Sequence, residues 1–264
     1  MDRILATHTG SLVRPNDLLA FLAARARGDK IDQEAYANCL ERAVCDVVSD
    51  QVQAGIDIVD DGEMGKASWI TYLYERVSGL TPRPVTLEGA SMLPPSRDRQ
   101  HFPGAYAALD ALDEAATRDS NVAPGGGESE QEADSGEAIE WVCTGPISYD
   151  PSALARDIAN FKAALATHPG VQAFLPVVAP ASAYWLTNEH YASEEEFVFA
   201  LADALHEEYR AIVEAGITLQ VDDAVLVHEA DTMMSRGESL EDYRRWAQLR
   251  IDALNQALRG LPEE

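Results

Sequence analysis

The sequence predicts an α/β fold, a parallel sheet with helices outside it. Two observations carry this: short apolar runs alternate with long helical patterns, and most of those helical patterns open on a residue able to cap them. A third concerns function. The polar residues best suited to chemistry fall just after the apolar runs, where strand ends meet loops.

The expected strands are Ile4 to Ala6, Ile56 to Val59, Ile139 to Cys143, Ala173 to Val178 and Thr218 to Val221. Helical spacing runs between them from about Asp32 to Ala54, Ser152 to Ala166, Ser193 to Ala215 and Ser239 to Arg259, with a weaker pattern from Ser68 to Val77. Asp32, Ser193 and Ser239 are expected N-caps. Ser193-Glu194-Glu195-Glu196 has the form of a capping box, in which Ser and Glu satisfy free N–H groups reciprocally. The stretch 81–138 breaks the rhythm with Pro82, Pro84, Pro94, Pro95 and Pro103, and then an acidic, Gly-rich run at about 122–138 that buries too little apolar surface to order itself. It is an expected insertion within a single domain, 1–264, because the alternation resumes after it.

Composition narrows the function classes. With 264 residues and 46% hydrophobic content the chain can build a large core. A formal charge of -25 argues against nucleic acid and anionic membrane as partners. No run approaches the ~20 apolar residues of a membrane span, and no secretory pattern opens the sequence, so the expected location is the cytoplasm. Three cysteines without CxxC spacing argue against a disulfide framework or a self-contained Cys-rich zinc site.

The candidate site residues lie at His8 to Ser11, Asp60 to Glu63, Cys143 to Tyr149, and Asp222 with Asp223. Their bland alternative is that Gly10, Gly62 and Gly145 serve turns and the acids are solvated caps. His8 suits a substrate hydrogen bond or a backbone one equally. Arg14 suits a bidentate bond to an acidic substrate tail or a structural ion pair. A metal site from His8, Cys143, Asp222 and His228 has suitable residue types but no supporting spacing, and Cys143 fits better as a small buried residue. Tyr184-Trp185 with Asn188 to Tyr191 either lines the mouth or packs at a helix start.

Four motifs in order, Thr7-His8-Thr9-Gly10-Ser11-Leu12-Val13-Arg14-Pro15, Asp60-Asp61-Gly62-Glu63-Met64-Gly65, Thr144-Gly145-Pro146 and Leu219-Gln220-Val221-Asp222-Asp223, resemble the catalytic barrel of the cobalamin-independent methionine synthase family. The likeness extends to the short single-barrel members and the related coenzyme M alkyltransferases. It implies an incomplete TIM-type (β/α)8 barrel of about five units, with the insertion after unit two and the remaining strands from a partner chain; an open sheet is the alternative. It also implies that Gly10 and Ser11 receive an amino acid's carboxylate while Glu63 and Asp222 receive its ammonium group, with His8, Arg14 and Tyr149 as further substrate contacts. The family's zinc ligands have no counterpart in this sequence, so zinc is expected in the partner chain and no metal ligand in this one. The implied activity is a methyl- or alkyltransferase acting on homocysteine or methionine, with methyltetrahydrofolate as donor, although the Trp that stacks on the pteridine is missing from Ile147 to Ser152. Asp223-Ala224 also departs from the family's Glu-Pro. Competing functions are a zinc-free amino-acid lyase or transferase with Glu63 or Asp222 as general base, and a non-catalytic stabilising partner.

Overall fold

The computed structural model describes residues 3–66, 68, 72–86, 97–109, 111 and 137–262. In chain order the elements are α1 (Asn16–Ala26), α2 (Gln33–Gln53), β1 (Ile58–Val59), α3 (Tyr72–Arg76), β2 (Leu80–Thr86), α4 (Arg97–His101), β3 (Glu137–Cys143), α5 (Ser152–Ala166), β4 (Gln172–Val178), a 3-10 turn (Pro180–Trp185), β5 (Leu186–Asn188), α6 (Glu194–Glu214), β6 (Thr218–Asp222), α7 (Ala224–Ser235) and α8 (Leu240–Ala257).

Local chemistry explains where the long helices begin and which face they bury. Asp32 accepts from the N–H groups of Glu34 and Ala35 at the start of α2, and Ser239 forms a capping box with Asp242 at the start of α8. At α6 the Ser193 hydroxyl accepts from Glu196 N–H, and the Glu196 carboxylate accepts from Ala192 N–H. The buried residues of α2 include Tyr36, Leu40, Val44, Val47, Val48 and Gln51, spaced three and four apart on one stripe. Gly55, at φ 84°, lets the chain reverse toward β1.

Two sheets result. The first is parallel, in the order β1-β4-β6, with registers Ile58↔Gln172 and Phe174↔Thr218 through Val178↔Asp222. Thr7 extends it by an isolated parallel bridge to Ile58. The strands thus follow chain order with helical crossovers, the winding of a barrel, but among the described residues the sheet stays open at Thr7 and at β6. Helices α2, α5 and α6 pack their apolar stripes against it around Val48, Phe161, Leu175, Val177, Leu205, Tyr209 and Ile212. Fully burying one such side chain contributes about 1.5–3 kcal/mol. Ala253 and Ala257, both fully buried, line the core face of α8.

The second sheet has the order β2-β3-β5. Here one sequence expectation needs correcting. Residues Ile139 to Cys143, expected as a barrel strand, lie in β3, which pairs antiparallel with β2 from Leu80↔Cys143 to Thr86↔Glu137 and parallel with β5. An apolar run after a loop looks the same in either sheet, and only long-range pairing distinguishes them. The incomplete barrel architecture stands, with four parallel positions, Thr7, β1, β4 and β6, in place of about five units. Ile4 to Ala6 forms no strand: Ile4 is 96% exposed, and the chain joins the sheet first at Thr7. Strand β2 carries Pro82 and Pro84, which an edge strand tolerates because their missing N–H groups break no ladder. Of the acidic run at 122–138, all but residues 137 and 138 lie outside the described residues. No helix among the described residues is long and apolar enough to cross a membrane.

Candidate functional site

The turn after β1 is built around its own acids. Asp60 Oδ1 accepts from Gly62 N–H at 2.7 Å, and Asp61 Oδ1 accepts from Glu63 N–H at 2.9 Å. From below, the buried Gln51 amide clasps the Asp60 backbone, donating to its carbonyl at 2.8 Å and accepting from its N–H at 3.1 Å. Gly62 is required twice over: φ is 64°, and an added Cβ would meet Met64 Cε at 2.9 Å and Val47 at 3.1 Å. Glu63 follows at φ 54°, a left-handed conformation that costs a side-chain-bearing residue about 1–3 kcal/mol and tends to be kept where geometry serves function.

The N-terminal loop and the ends of β4 and β6 complete the group. Ser11 Oγ donates to Glu63 Oε2 at 2.5 Å, and Leu12 N–H donates to Gly62 O at 3.1 Å. Arg14 Nη2 donates to the carbonyls of Glu63 and Lys66 at 3.0 and 2.9 Å. Lys66 is buried, with its ammonium 3.8 Å from Glu63 Oε1, donating to Pro176 O, and over the Tyr72 ring at 4.4 Å from its centroid. Asp222, on the last residue of β6, accepts from Gln220 Nε2 at 2.9 Å.

Acids outnumber bases in this region, and burial works against their charged forms. Burial pushes Asp60 up to about 7, and it also raises Asp61 and Asp222 above the ordinary carboxylate range. Glu63 adds to the rise at Asp222, while Gln220 and Lys66 oppose it, so Glu63, Lys66 and Asp222 share one electrostatic neighbourhood. Buried polar atoms without a hydrogen-bond partner include Asp60 Oδ2 in this turn and His8 Nε2 on the N-terminal loop. Gly10, at φ 93°, has nothing within 4 Å of the position a Cβ would take.

The structure therefore gathers Ser11, Arg14, Glu63 and Asp222, and sets His8 and Gly10 on the loop that reaches them. Tyr149 is placed differently. It bridges to Val77, and its hydroxyl is buried beside Arg76 and Glu208, where burial and the Glu208 carboxylate raise its pKa. That position belongs to a second charge group, in which Arg76 donates to Asp157 at 2.5 Å and to Glu208 at 3.0 Å, and Tyr72 O–H donates to Glu208 at 3.4 Å. Cys143 is fully buried, burial raises its thiol, and Sγ donates to Gly145 O at 3.3 Å. Asp223 caps α7 through Leu226 N–H. Tyr191 packs as a helix-start aromatic, its hydroxyl accepting from Ile147 N–H at 2.9 Å; the side chains of Tyr184 and Trp185 lie outside the described residues. Among the described residues no group of three or more His, Cys, Asp or Glu side chains lies together to hold a metal ion.

Sequence reasoning missed Lys66, Gln51 and the Arg76 group. Lys66 left one signal: the chain has three lysines, and one follows the acidic turn directly.

No protein-family model matches the chain. It is 24% identical over 257 residues to a methionine synthase of Sulfolobus acidocaldarius, covering 97% of this chain and 58% of that protein. To the methionine synthase of Pyrococcus furiosus it is 25% identical, covering 96% and 57%. A solved B12-independent methionine synthase from a Shewanella species, in complex with selenomethionine, superposes with a TM-score of 0.59 at 19% identity, covering 97% of this chain and 58% of that one. The chain's relatives are methionine synthases. It spans a little under three fifths of the length of the curated relatives it matches, and the likeness to the solved structure establishes the barrel-type fold.

Proposed function

We propose that the mouth of this open barrel binds the zwitterionic end of an amino-acid thiol or thioether, homocysteine or methionine, as the acceptor side of a methyl- or alkyltransferase of methionine synthase type. The observation that carries this is the pairing of Glu63 with Asp222. A buried carboxylate, Glu63, and a half-buried one, Asp222, from different strand ends share a neighbourhood with one resident cation, so two acids face one base and a ligand's ammonium group has a partner. Backbone N–H groups of Gly10 and Ser11 suit the carboxylate. His8 Nε2, buried and unpartnered, supplies one more polar contact. The selenomethionine bound to the Shewanella protein is of the same chemical class.

This chain's part is to bind and orient the amino acid. Zinc, which the family uses to hold the thiol, is ligated in this reading by residues of a complementary segment, a partner chain that also covers the sheet edges at Thr7 and β6. The methyl donor is methyltetrahydrofolate, with Tyr149 the first aromatic after the Thr-Gly-Pro loop in sequence. Residues 1–264 act as one domain with 81–138 as its insertion.

The test is calorimetric titration of the protein with L-methionine, L-homocysteine and 3-(methylthio)propanoic acid, which lacks the amine. The amino acids are expected to bind about ten- to a hundredfold more tightly than the deaminated acid. Equal binding of all three, or none, refutes the reading.

A further inference from the structure

Glu63 is the one non-glycine residue among those described whose φ lies in the left-handed region. The same short loop that carries Ser11 straps this turn down. Leu12 N–H takes the Gly62 carbonyl, the Ser11 hydroxyl takes the Glu63 carboxylate, and Arg14 Nη2 takes the Glu63 carbonyl at 3.0 Å and the Lys66 carbonyl at 2.9 Å. The guanidinium thus grips both ends of the turn from Glu63 to Lys66. It also lies 3.5 Å from Ser11 Oγ, which ties the hydroxyl and the turn to one planar group.

Resting on the reading that Glu63 receives a ligand's ammonium group, we propose that Arg14 is a positioning residue: it sets amino-acid affinity by holding the Glu63 backbone left-handed, and does not itself touch the ligand. A glutamate released from this conformation returns to the ordinary right-handed or extended regions, which reorients its Cα–Cβ bond and turns the carboxylate away from Asp222. Two carbonyls would also lose a charged donor, loosening the turn that carries Lys66. An arginine that bound the substrate directly would act whether or not Glu63 were present. An arginine that acts through Glu63 cannot.

The experiment compares L-methionine affinity in the full-length protein, Arg14→Met, Glu63→Ala and the double variant. Arg14→Met is expected to weaken binding about tenfold in the parent and less than twofold in the Glu63→Ala background, because coupled residues fail additivity. Arg14→Lys is expected to recover part of the loss, since an ammonium also donates to a carbonyl. Unchanged affinity in Arg14→Met, or equal losses in both backgrounds, overturns the proposal. Should Arg14→Met not fold, Arg14→Lys carries the same comparison with a smaller loss of about threefold in the parent. A second readout needs no ligand. At a left-handed position Gly is favoured over Ala, so Glu63→Gly should melt several degrees above Glu63→Ala with Arg14 in place, and that gap should shrink with Arg14→Met or Arg14→Lys. A gap that stays the same overturns the proposal. Methionine affinity unchanged by Glu63→Ala refutes the ammonium reading instead, and leaves the melting comparison to decide the role of Arg14.

Discussion

Two buried charge groups meet at Tyr72, whose ring lies 4.4 Å from the Lys66 ammonium and 4.8 Å from the Arg76 guanidinium, and they are built on opposite principles. The Arg76 group is closed in its charges, although the Tyr149 hydroxyl beside it has no hydrogen-bond partner. Burial works against its charge, but the Glu208 and Asp157 carboxylates outweigh that and hold the guanidinium above its ordinary pKa; Arg156 adds a further donor to Asp157. The Lys66 group is open. Asp60, Asp61, Glu63 and Asp222 are gathered near one ammonium, three of them are raised by burial, and Asp60 Oδ2 has no partner. A closed network fixes how α3, α5 and α6 meet the sheet. An open one carries an electrostatic deficit that a cationic ligand group relieves, which is the arrangement expected of a binding site.

The sharpest way to break this contrast is Arg76→Met. It strands the buried carboxylates of Glu208 and Asp157, and unfolding free energy should fall by about 3–5 kcal/mol in a denaturant titration. A loss under about 1 kcal/mol would mean that the network holds nothing together. At the mouth the cost should appear in binding instead. Glu63→Ala and Asp222→Ala should each weaken L-methionine by about 1.5–3 kcal/mol while the denaturation midpoint stays level or rises, because removing one of several crowded acids relieves repulsion. Destabilisation comparable to that of Arg76→Met would make the mouth structural too.

Asp60 tests the open character by pH. Its folded pKa of about 7 lies above the ordinary 3.8, so the native state binds this proton more tightly than the unfolded chain does. The contribution to stability is therefore fully present below about pH 4 and is lost as pH rises through 7. Asp60→Asn, which keeps an oxygen for Gly62 N–H, should gain about 1–2 kcal/mol on the parent at pH 8 and nothing at pH 4, read from melts at the two values. A gain independent of pH would assign the effect to packing. The smallest effect belongs to a charge outside both groups. Glu75 pairs with Arg25 at 2.9 Å on the surface, and Glu75→Ala should change stability and binding by less than about 0.5 kcal/mol.

The long helices α2, α5, α6 and α8 and the capping roles of Asp32, Ser193 and Ser239 were legible along the chain, because caps and apolar stripes are local and depend on neighbours three and four residues away. So was the placement of Glu63 and Asp222 just after or at the ends of parallel strands, since such strands in chain order bring their C-terminal ends to one side of the sheet. Pairing partners were not legible. Residues Ile139 to Cys143 have the composition of a barrel strand, yet the antiparallel partner Leu80–Thr86 holds them in the other sheet. Tyr149 follows the Thr-Gly-Pro motif, yet Val77 and the buried Arg76 group decide where its hydroxyl points. Nothing local marks Lys66 for burial; the Pro176 carbonyl, distant in the chain, and the Tyr72 ring enclose it. The sequence by itself determined the α/β class, the boundaries of the four long helices α2, α5, α6 and α8, and the acids at the strand ends, all set by short-range periodicity and strand polarity, while α1 and α7 went unread. The tertiary structure alone decided which sheet each strand joined, which buried charges were matched, and that Glu63 would be held left-handed, because those outcomes depend on groups more than 45 residues apart in the chain.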